Sequence, residues 1–180
     1  ANGPRTAHGL SSILCSWPTI PGYPLIRQSK YQKEGNITFA SIFKNLGYET
    51  SFIYGGNSEF DEMKKFTKSN SFDKIYDHKI DNYLSQFKLD NKHGGNNPWG
   101  VFDEFIFNKT LDIMNNRDNE APIMLTILTT TNHAPWVVPE YFQSQISDLN
   151  INQKEPFSSS KATMKYVDSA LGKFFEDAKQ

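Results

Sequence analysis

The sequence predicts an α/β fold built around a parallel sheet. Segments rich in β-forming residues alternate with segments of helical periodicity, the order expected when strands are connected by covering helices. The apolar run at 122–130 has the length of a strand and the composition of one covered on both faces. Glycines follow a helical segment at residue 47 and a strand at residues 55 and 56. We find no linker, so residues 1–180 are predicted to form one domain.

The elements of the first half follow from apolar spacing and from residues that stop helices. A helix is predicted over 6–16, and the three prolines that follow exclude regular structure over 17–24. A second helix begins at 36–38 and ends at Gly47, and a strand follows over 50–54. The apolar residues expected on the buried faces of these helices are Leu10, Ile13, Leu14, Phe39, Ile42, Phe43 and Leu46.

The second half repeats the alternation. A helix over 100–115 carries a wide apolar face, and it precedes the strand at 122–130. A final amphipathic helix begins at Ser159, and Met164 and Leu171 lie on its apolar face together with Val167 and Phe174. The remaining expected elements are a polar helix at 58–67, a strand at 74–76, a polar loop or insertion at 77–98 and a polar loop at 139–157.

Composition excludes several classes of function. Lys+Arg 19 against Asp+Glu 20 gives a net charge of −1, so no bulk electrostatic attraction to nucleic acid or acidic membrane is expected. The aromatic content of 14% argues against disorder. No apolar run reaches the roughly 18 residues that a membrane helix needs, and no leader is visible, so a soluble globular chain is expected. The single cysteine, Cys15, excludes an internal disulfide and a cysteine zinc site, and His8, His78 and His93 lack metal-ligand spacing.

The first candidate motif is a turn that enters the first helix and contains Arg5 and Thr6. Unpaired backbone N–H groups at a helix N-terminus favour an anion, and a guanidinium adds a permanently charged, forked donor. The structural alternative is that Thr6 only caps the helix, as Ser and Thr commonly do.

Two further motifs follow predicted strands, where α/β sheets bind ligands. Gly55 and Gly56 could let a backbone approach a substrate, or they could simply turn a corner. The sequence lacks both a dinucleotide fingerprint and a P-loop, so nucleotide binding has no support. His133 follows the strongest strand, where an imidazole could donate to a phosphoryl oxygen or move a proton, or could be an ordinary polar loop residue. Asp103 could reach a site, although capping of the following helix is the simpler interpretation.

Taken together and in this order, the motifs resemble the sulfatase-like branch of the alkaline phosphatase superfamily, in particular the lipoteichoic acid synthase-type phosphoglycerol transferases. The resemblance covers nearly the whole chain. The residues that carry it are Arg5-Thr6, Gly9-Leu10, Pro18, Pro21-Gly22, Leu46-Gly47-Tyr48, Thr50, Tyr54-Gly55-Gly56, Phe60-Asp61, Phe72-Asp73, Trp99-Gly100-Val101, Asp103-Glu104, Thr131-Asn132-His133, Pro135, Tyr166, Asp168 and Ala170-Leu171-Gly172.

The resemblance implies a metal-assisted displacement at a phosphate or sulfate ester. In this family the residue matching Thr6 ligates a divalent metal (Mn, Zn, Mg or Ca) and attacks the tetrahedral centre, which gives a covalent phospho-threonine. Metal coordination answers a chemical difficulty, since an unassisted threonine hydroxyl is a poor nucleophile near neutral pH. Arg5 is then expected to hold non-bridging oxygens and His133 to bind the transferring group or its leaving oxygen.

The resemblance also bears on the substrate. Lipoteichoic acid synthases hold glycerol phosphate with a histidine, a tryptophan and an arginine, and the nearest positions here are Tyr54, Asp61 and Met63, with Lys64 the adjacent cation. Lys64 is therefore a candidate substrate-binding residue, and lipid or glycan headgroups are candidate substrates. Dedicated sulfatases convert a cysteine or serine in a Cys/Ser-x-Pro-x-Arg motif to formylglycine. The segment that begins at Cys15 lacks that pattern and Thr6 cannot yield formylglycine, so phosphoryl chemistry is favoured.

The family site needs further ligands, an acidic residue on an earlier strand and an Asp-His pair on a later one, which the resemblance assigns to positions outside this chain. We therefore expect a central piece of an alkaline phosphatase-type sandwich that is incomplete in this chain, inactive by itself and prone to self-association through uncovered sheet edges. The family implies an extracytoplasmic domain of a bacterial membrane protein. The alternative function is a non-catalytic domain that recognises an anionic glycan or lipid headgroup.

Overall fold

The structure is a computed structural model, and it describes residues 5–18, 20–89, 97–117, 120–149, 151 and 158–179. In chain order its elements are α1 (Thr6–Cys15), α2 (Phe39–Asn45), β1 (Glu49–Tyr54), α3 (Met63–Ser69), β2 (Lys74–Tyr76), α4 (Asn82–Leu89), α5 (Asp103–Asn115), β3 (Ile123–Leu128) and α6 (Ser160–Asp177), with 3₁₀ turns at Leu25–Arg27, Phe60–Glu62 and Glu140–Ile146. The α/β class predicted from the sequence is confirmed.

The three strands form one sheet in the order β2-β1-β3. The Glu49 N–H donates to the Pro122 carbonyl (2.9 Å) and the Gly55 N–H donates to the Leu128 carbonyl (3.3 Å), so the register advances in the same direction along β1 and β3. The pairing of β1 with β2 is also parallel, because the Asp73 N–H donates to the Thr50 carbonyl (2.9 Å) and the His78 N–H donates to the Gly56 carbonyl (3.3 Å). The predicted parallel sheet is therefore confirmed, and the carboxyl ends of all three strands lie at one edge.

The described chain divides into two compact units. The first lies within Ala1–Phe52, Ser58–Tyr76 and Asn119–Thr126. Its core includes the aromatic cluster of Trp17, Tyr31 and Phe66, with ring centroids 4.7 and 6.1 Å from Trp17. Thr38 begins α2 with a capping box, since Thr38 and Ser41 exchange hydrogen bonds between side chain and backbone. The start of α2 predicted at 36–38 is confirmed, and Gly47 follows the helix with a positive φ of 86°.

The second unit lies within Ile53–Asn57, Asp77–Asp118 and Ile127–Gln180. Its core is built from the buried face of α5, which stacks Phe105 on Phe87 of α4 at a centroid separation of 4.0 Å. Phe107 of α5 stacks on Phe174 of α6 at 5.2 Å. Asp81 and Lys109 form an ion pair (3.1 Å) that joins the start of α4 to α5. The apolar face predicted for the helix over 100–115 is therefore the one that packs.

Several sequence predictions are corrected. The segment 77–98 was expected to be a loop, but it contains α4, whose polar composition hides the helical spacing of Leu84 and Phe87. The polar loop expected at 139–157 contains the 3₁₀ turn Glu140–Ile146, while 152–157 lie outside the described residues, as does His93. Ile13 was expected in the core and is exposed.

Three apolar surfaces are covered less than their patterns suggest. Every residue of β3 is half-buried, whereas the sequence predicted a strand covered on both faces. On α2, Phe39, Ile42 and Leu46 are exposed, and on α6, Met164 and Leu171 are exposed. The buried residues of α6 are instead Ala162, Thr163 and Tyr166, so packing selects a different stripe of this helix. No helix within the described residues is long and apolar enough to cross a membrane.

Candidate functional site

Arg5 and Thr6 lie at the N-terminus of α1. Arg5 is the N-cap, with extended backbone (φ −124°, ψ 149°), and its carbonyl accepts from the His8 and Gly9 amides, each at 3.1 Å. The amides of Thr6 and Ala7 precede any intrahelical acceptor, and neither has an acceptor among the described residues. Both the Arg5 and Thr6 side chains are exposed, and neither forms a hydrogen bond within the described residues. The capping interpretation of Thr6 is therefore wrong, because Thr6 is the first helical residue.

A cavity of about 560 Å³ adjoins this N-terminus and is lined by Arg5, His8 and residues 20–24. His8 is 7% exposed, and neither Nδ1 nor Nε2 has a hydrogen-bond partner within the described residues. Burial of a polar ring without partners costs stability, so packing by itself does not account for an imidazole here. In the sequence, His8 lacks metal-ligand spacing with His78 and His93, so that pattern does not single it out. Its position one turn from the N-cap was the signal that could have identified it.

Cys15 lies at the opposite end of α1 from Thr6. The rise of an α-helix puts the two Cα atoms about 14 Å apart. Burial raises the pKa of the Cys15 thiol to about 12, and the C-terminal end of a helix dipole also disfavours an anion. Cys15 is therefore unsuited to act as a nucleophile.

Lys64 lies in the first turn of α3, beside a different cavity. That cavity measures about 420 Å³ and is lined by Lys64, Lys65, Lys68, Glu59 and Glu62, and it shares no residue with the cavity beside Arg5. Lys64 Nζ lies 4.0 Å from Glu59 Oε1, so a carboxylate partly offsets its charge.

The turn before α3 has unusual backbone geometry. Asp61 and Glu62 both have positive φ values, 52° and 57°. Such conformations are costly for residues with a Cβ and need support from the surrounding structure. Arg27 supplies part of that support through an ion pair with Asp61 (2.9 Å). The turn at residues 60–62 is therefore held in a defined shape.

At the carboxyl edge of the sheet, Gly55 and Gly100 bring two backbone segments into close contact. The Val101 N–H donates to the Gly55 carbonyl (3.0 Å), and a Cβ at Gly100 would overlap the Gly55 backbone. A Cβ at Gly55 would overlap the side chain of Ile106. The glycines are therefore needed for packing, and the space beside Gly55 is filled by Ile106 and Thr130 rather than left open for a substrate.

The loop after β3 carries His133 and is held by the segment 97–103. The Asn97 side chain donates to Thr130 Oγ1 (3.0 Å), and Thr130 Oγ1 donates to the Val101 carbonyl (2.6 Å). Asp103 accepts from the Thr130 and Thr131 amides at 2.9 and 3.0 Å. The expectation that Asp103 caps α5 is wrong, because its carboxylate binds the loop after β3 instead. Burial raises the pKa of Asp103 although these hydrogen bonds oppose the shift.

The imidazole of His133 packs on the indole of Trp99, with ring centroids 4.2 Å apart and planes inclined by 50°. The Trp99 indole N–H donates to the Ala134 carbonyl, and His133 Nδ1 lies 2.9 Å from the same oxygen. A carbonyl oxygen only accepts, so this contact requires a proton on Nδ1. Nε2 is then left to contact a ligand, and the exposed ring makes that contact possible.

Comparison with known proteins decides the family. A family model described as Sulfatase matches residues 1–180. The chain belongs to the sulfatase family. Among curated relatives of this family member, phosphoglycerol transferase I of Escherichia fergusonii is 23% identical over 140 residues, and the same-named protein of Escherichia coli is 22% identical. Each alignment covers 77% of this chain but 18% of the relative, so the chain spans less than a fifth of the length of these curated relatives.

Solved structures agree with the sulfatase-family fold. The crystal structure of a protein in the alkaline phosphatase superfamily from Vibrio parahaemolyticus has a TM-score of 0.73 and 32% identity, and the match covers 97% of this chain and 39% of that one. The lipoteichoic acid synthase LtaP of Listeria monocytogenes has a TM-score of 0.74 and 22% identity, covering 98% and 40% of the two chains. The resemblance and the fold type predicted from the sequence are confirmed, and the matches cover less than half of each solved chain.

The expected metal site of this sulfatase-family chain is not formed by the residues that the structure describes. No group of three or more His, Cys, Asp or Glu side chains lies close enough together in this part of the chain to hold a metal ion. Thr6 is the metal ligand that the resemblance assigns to it, and a single hydroxyl is not a binding site for a divalent cation. The described residues therefore do not fit a bound metal by themselves.

The candidate residues fall into both units. Arg5, Thr6 and Lys64 belong to the first unit and His133 to the second. Arg5 and Thr6 share a helix start, while Lys64 lies beside a separate cavity. The pairing of Thr6 with His133 around one ester stays a prediction. Sequence reasoning missed the imidazole of His8 and the role of Asp103, and for Asp103 no local signal existed because its partners are 27 and 28 residues away.

Proposed function

We propose that the protein carrying this chain is a phosphoryl-ester hydrolase or transferase in which Thr6 is the nucleophile. The observation that carries the proposal is the position of Thr6: an exposed hydroxyl without a hydrogen bond in the described residues, at the first residue of α1 and beside Arg5. Family membership supplies the reaction class, since displacement at phosphate or sulfate esters is what the sulfatase resemblance implies. The geometry supports a group positioned for attack rather than for capping.

Each residue has a stated part in the proposal. The free amides at the start of α1 and the Arg5 guanidinium bind non-bridging oxygens, whose negative charge the helix N-terminus favours. Thr6 Oγ1 loses its proton to solvent and forms a bond to phosphorus as the bond from phosphorus to the leaving oxygen breaks, and the leaving oxygen takes up a proton to depart as an alcohol. Water or a second alcohol then takes the phosphoryl group from Thr6. With a proton on each ring nitrogen, Nε2 of His133 donates to the transferring group or the leaving oxygen, and Lys64 is a weaker candidate for a distal part of the substrate.

Phosphate is proposed over sulfate because of the nucleophile. Thr6 cannot be converted to formylglycine, and Cys15 has a raised thiol pKa and lies at the wrong end of α1. The divalent cation is part of the proposal, with its remaining ligands on parts of the protein outside this chain. The extracytoplasmic location is proposed on the family resemblance alone.

The second candidate function is binding of an anionic headgroup without chemistry. It is favoured by the lack of a metal-ligand cluster in the described residues and by the fact that a helix N-terminus and an arginine bind anions without a nucleophile. The two functions differ in what a hydroxyl at residue 6 contributes, since binding alone needs Arg5 and the helix amides but not Thr6.

The test is a variant series in the full-length protein that contains this chain, assayed with bis-p-nitrophenyl phosphate and Mn²⁺. Thr6→Ala should lower kcat by about 1,000-fold or more, because it removes the nucleophile. Thr6→Ser should retain measurable turnover, since it keeps a hydroxyl. Acid quenching followed by peptide mass spectrometry should find phosphate on Thr6 in the parent and none in Thr6→Ala.

The matched control is Ser169→Ala, which removes an exposed hydroxyl from α6 and should leave kcat unchanged. Full turnover in Thr6→Ala would exclude Thr6 as the nucleophile. Retained binding of inorganic phosphate by a parent protein that shows no turnover with phosphate or sulfate esters, measured by calorimetry, would support the non-catalytic function.

A further inference from the structure

Asp103 is a fully buried carboxylate, and packing alone does not require a carboxylate at this position. It is 0% exposed in the first turn of α5. At such a position an aspartate normally remains in water, where its charge interacts favourably with the N-terminal end of the helix dipole. Its Oδ1 atom accepts three hydrogen bonds, from the Thr130 N–H (2.9 Å), the Thr131 N–H (3.0 Å) and Thr131 Oγ1 (2.8 Å). The Asp103 N–H donates in return to Thr131 Oγ1 (3.1 Å).

These contacts organise the chain between β3 and His133. The Thr130 and Thr131 amides lie two and three residues past the end of β3, and the described sheet offers them no neighbouring strand. One carboxylate oxygen satisfies both, and charge-assisted hydrogen bonds are shorter and more directional than neutral ones. His133 lies two residues further on, so the conformation set at Thr131 limits where the imidazole can lie.

The same segment also supports the imidazole itself. Trp99, four residues before Asp103, packs against the His133 ring and donates to the Ala134 carbonyl. The segment 97–103 therefore contacts the 130–134 loop at both ends, with Asp103 at the buried end and Trp99 at the exposed end.

The surroundings of the second carboxylate oxygen indicate that Asp103 is not explained by a contribution to folding stability. Oδ2 is buried without a hydrogen-bond partner among the described residues. An unpartnered carboxylate oxygen in the core is unfavourable, and an apolar residue or a neutral acceptor would avoid that penalty. Residues with buried polar atoms that lack hydrogen-bond partners are concentrated at functional sites.

We propose that Asp103 is the positioning residue of His133: by binding the Thr130 and Thr131 amides through Oδ1, it holds the imidazole on Trp99 with Nε2 directed away from the protein. The inference rests on the proposed function, in which Nε2 of His133 contacts the transferring group. Asp103 touches neither the substrate nor the reacting atoms, and it acts only through His133.

The first test is a double-mutant cycle in the full-length protein, with bis-p-nitrophenyl phosphate and Mn²⁺. Asp103→Ala should lower kcat by about 100-fold with a smaller change in KM, as displacement of a group that acts in the transition state does. In the His133→Ala background, Asp103→Ala should change kcat by less than about two-fold, because the residue through which it acts is gone. Asp103→Asn keeps an acceptor at the Oδ1 position and should restore most of the activity.

Thr131→Val serves if Asp103→Ala fails to fold. It removes one of the three donors to Oδ1 and the acceptor of the Asp103 N–H, with little change in side-chain volume, and kcat should fall by about five-fold. The matched control is Thr110→Val, which removes a buried hydrogen bond within α5, to the Ile106 carbonyl, and does not touch the 130–134 loop. It should leave kcat unchanged.

The second test does not depend on activity. In the chain labelled with ¹⁵N-histidine, the His133 ring should give the Nδ1–H tautomer signal in the parent, in Asp103→Asn and in Thr110→Val. In Asp103→Ala or Thr131→Val, the ¹⁵N chemical shifts of the ring should move toward the tautomer-averaged values of free imidazole. An unchanged His133 signal in these variants would overturn the inference, as would equal kcat losses from Asp103→Ala in the parent and His133→Ala backgrounds. A His133→Ala variant with full activity would instead contradict the role of His133 in the proposed function. The ¹⁵N signal of the His133 ring would still show whether Asp103 positions the imidazole.

Discussion

At the scale of single residues, the informative side chains are polar groups buried where packing does not need them. His8 and Asp103 both contain buried atoms without hydrogen-bond partners in the described chain. His8 lies on α1, which also carries the exposed Thr6. Asp103 lies on α5 and binds the loop after β3, which carries the exposed His133. Such groups reduce stability, so their presence beside candidate site residues favours a functional explanation.

If the buried imidazole of His8 does not serve packing, replacing it should raise the free energy of unfolding or leave it unchanged. Removing an imidazole whose nitrogens are unpartnered relieves a desolvation penalty, so His8→Leu should raise the free energy of unfolding by up to about 1 kcal/mol. Urea unfolding of the chain followed by circular dichroism measures this. Leu14→Ala, in the buried face of the same helix, should lower the same quantity by about 2–5 kcal/mol. A loss of stability in His8→Leu comparable to that of Leu14→Ala would show that the imidazole is a packing residue.

At the scale of elements, the first unit is joined by Asp73, which immediately precedes β2. Its carboxylate pairs with Lys44 near the end of α2 and accepts from the Thr50 N–H of β1 (3.0 Å). The Asp73 N–H also donates to Thr50 Oγ1 (3.1 Å). A single aspartate thus connects a helix and two strands. Partial burial by itself would raise the pKa of Asp73, but the hydrogen bonds from Lys44 and Thr50 outweigh it and hold the pKa below its ordinary value.

The lowered pKa of Asp73 predicts a pH dependence of stability. Because the folded-state pKa lies below that of the unfolded chain, near 3.9, the contribution is fully present above about pH 4 and is lost as the pH falls through the folded value. Asp73→Asn should therefore lower the free energy of unfolding at pH 7 and have less effect near pH 3. Urea unfolding at a series of pH values measures the difference. Asp168→Asn, an exposed aspartate on α6, is the control, and a constant difference between Asp73→Asn and the parent at every pH would contradict the assignment.

At the scale of the whole molecule, apolar surface remains uncovered in the described chain. β3 is half-buried throughout and has β1 as its neighbour on one side, with no further described strand on the other. The exposed apolar residues of α2 and α6 add to this surface. An unpaired strand edge with apolar side chains is a template for pairing with another chain.

Self-association of the 180-residue chain is the expected consequence. Its sedimentation coefficient should rise with concentration across the micromolar range, because strand pairing between copies would cover the free edge of β3. Thr126→Lys places a charge on that strand and should reduce the rise. Ser169→Lys adds the same charge on α6 and should have less effect. A concentration-independent monomer in the parent chain would exclude this mode of association.

Apart from α4, the sequence by itself determined the order of strands and helices, the parallel sheet and the family. Those properties depend on local patterns, such as the apolar run of β3, the glycine after α2 and the succession of short motifs, and each is readable within a few residues. Tertiary structure alone decided that the exposed stripes of α2 and α6 stay uncovered, that Asp103 binds Thr130 and Thr131, and that the His8 nitrogens find no partner. These outcomes depend on which segments meet across long sequence separations, and the free energy of a buried polar group is set by neighbours that its own segment does not contain.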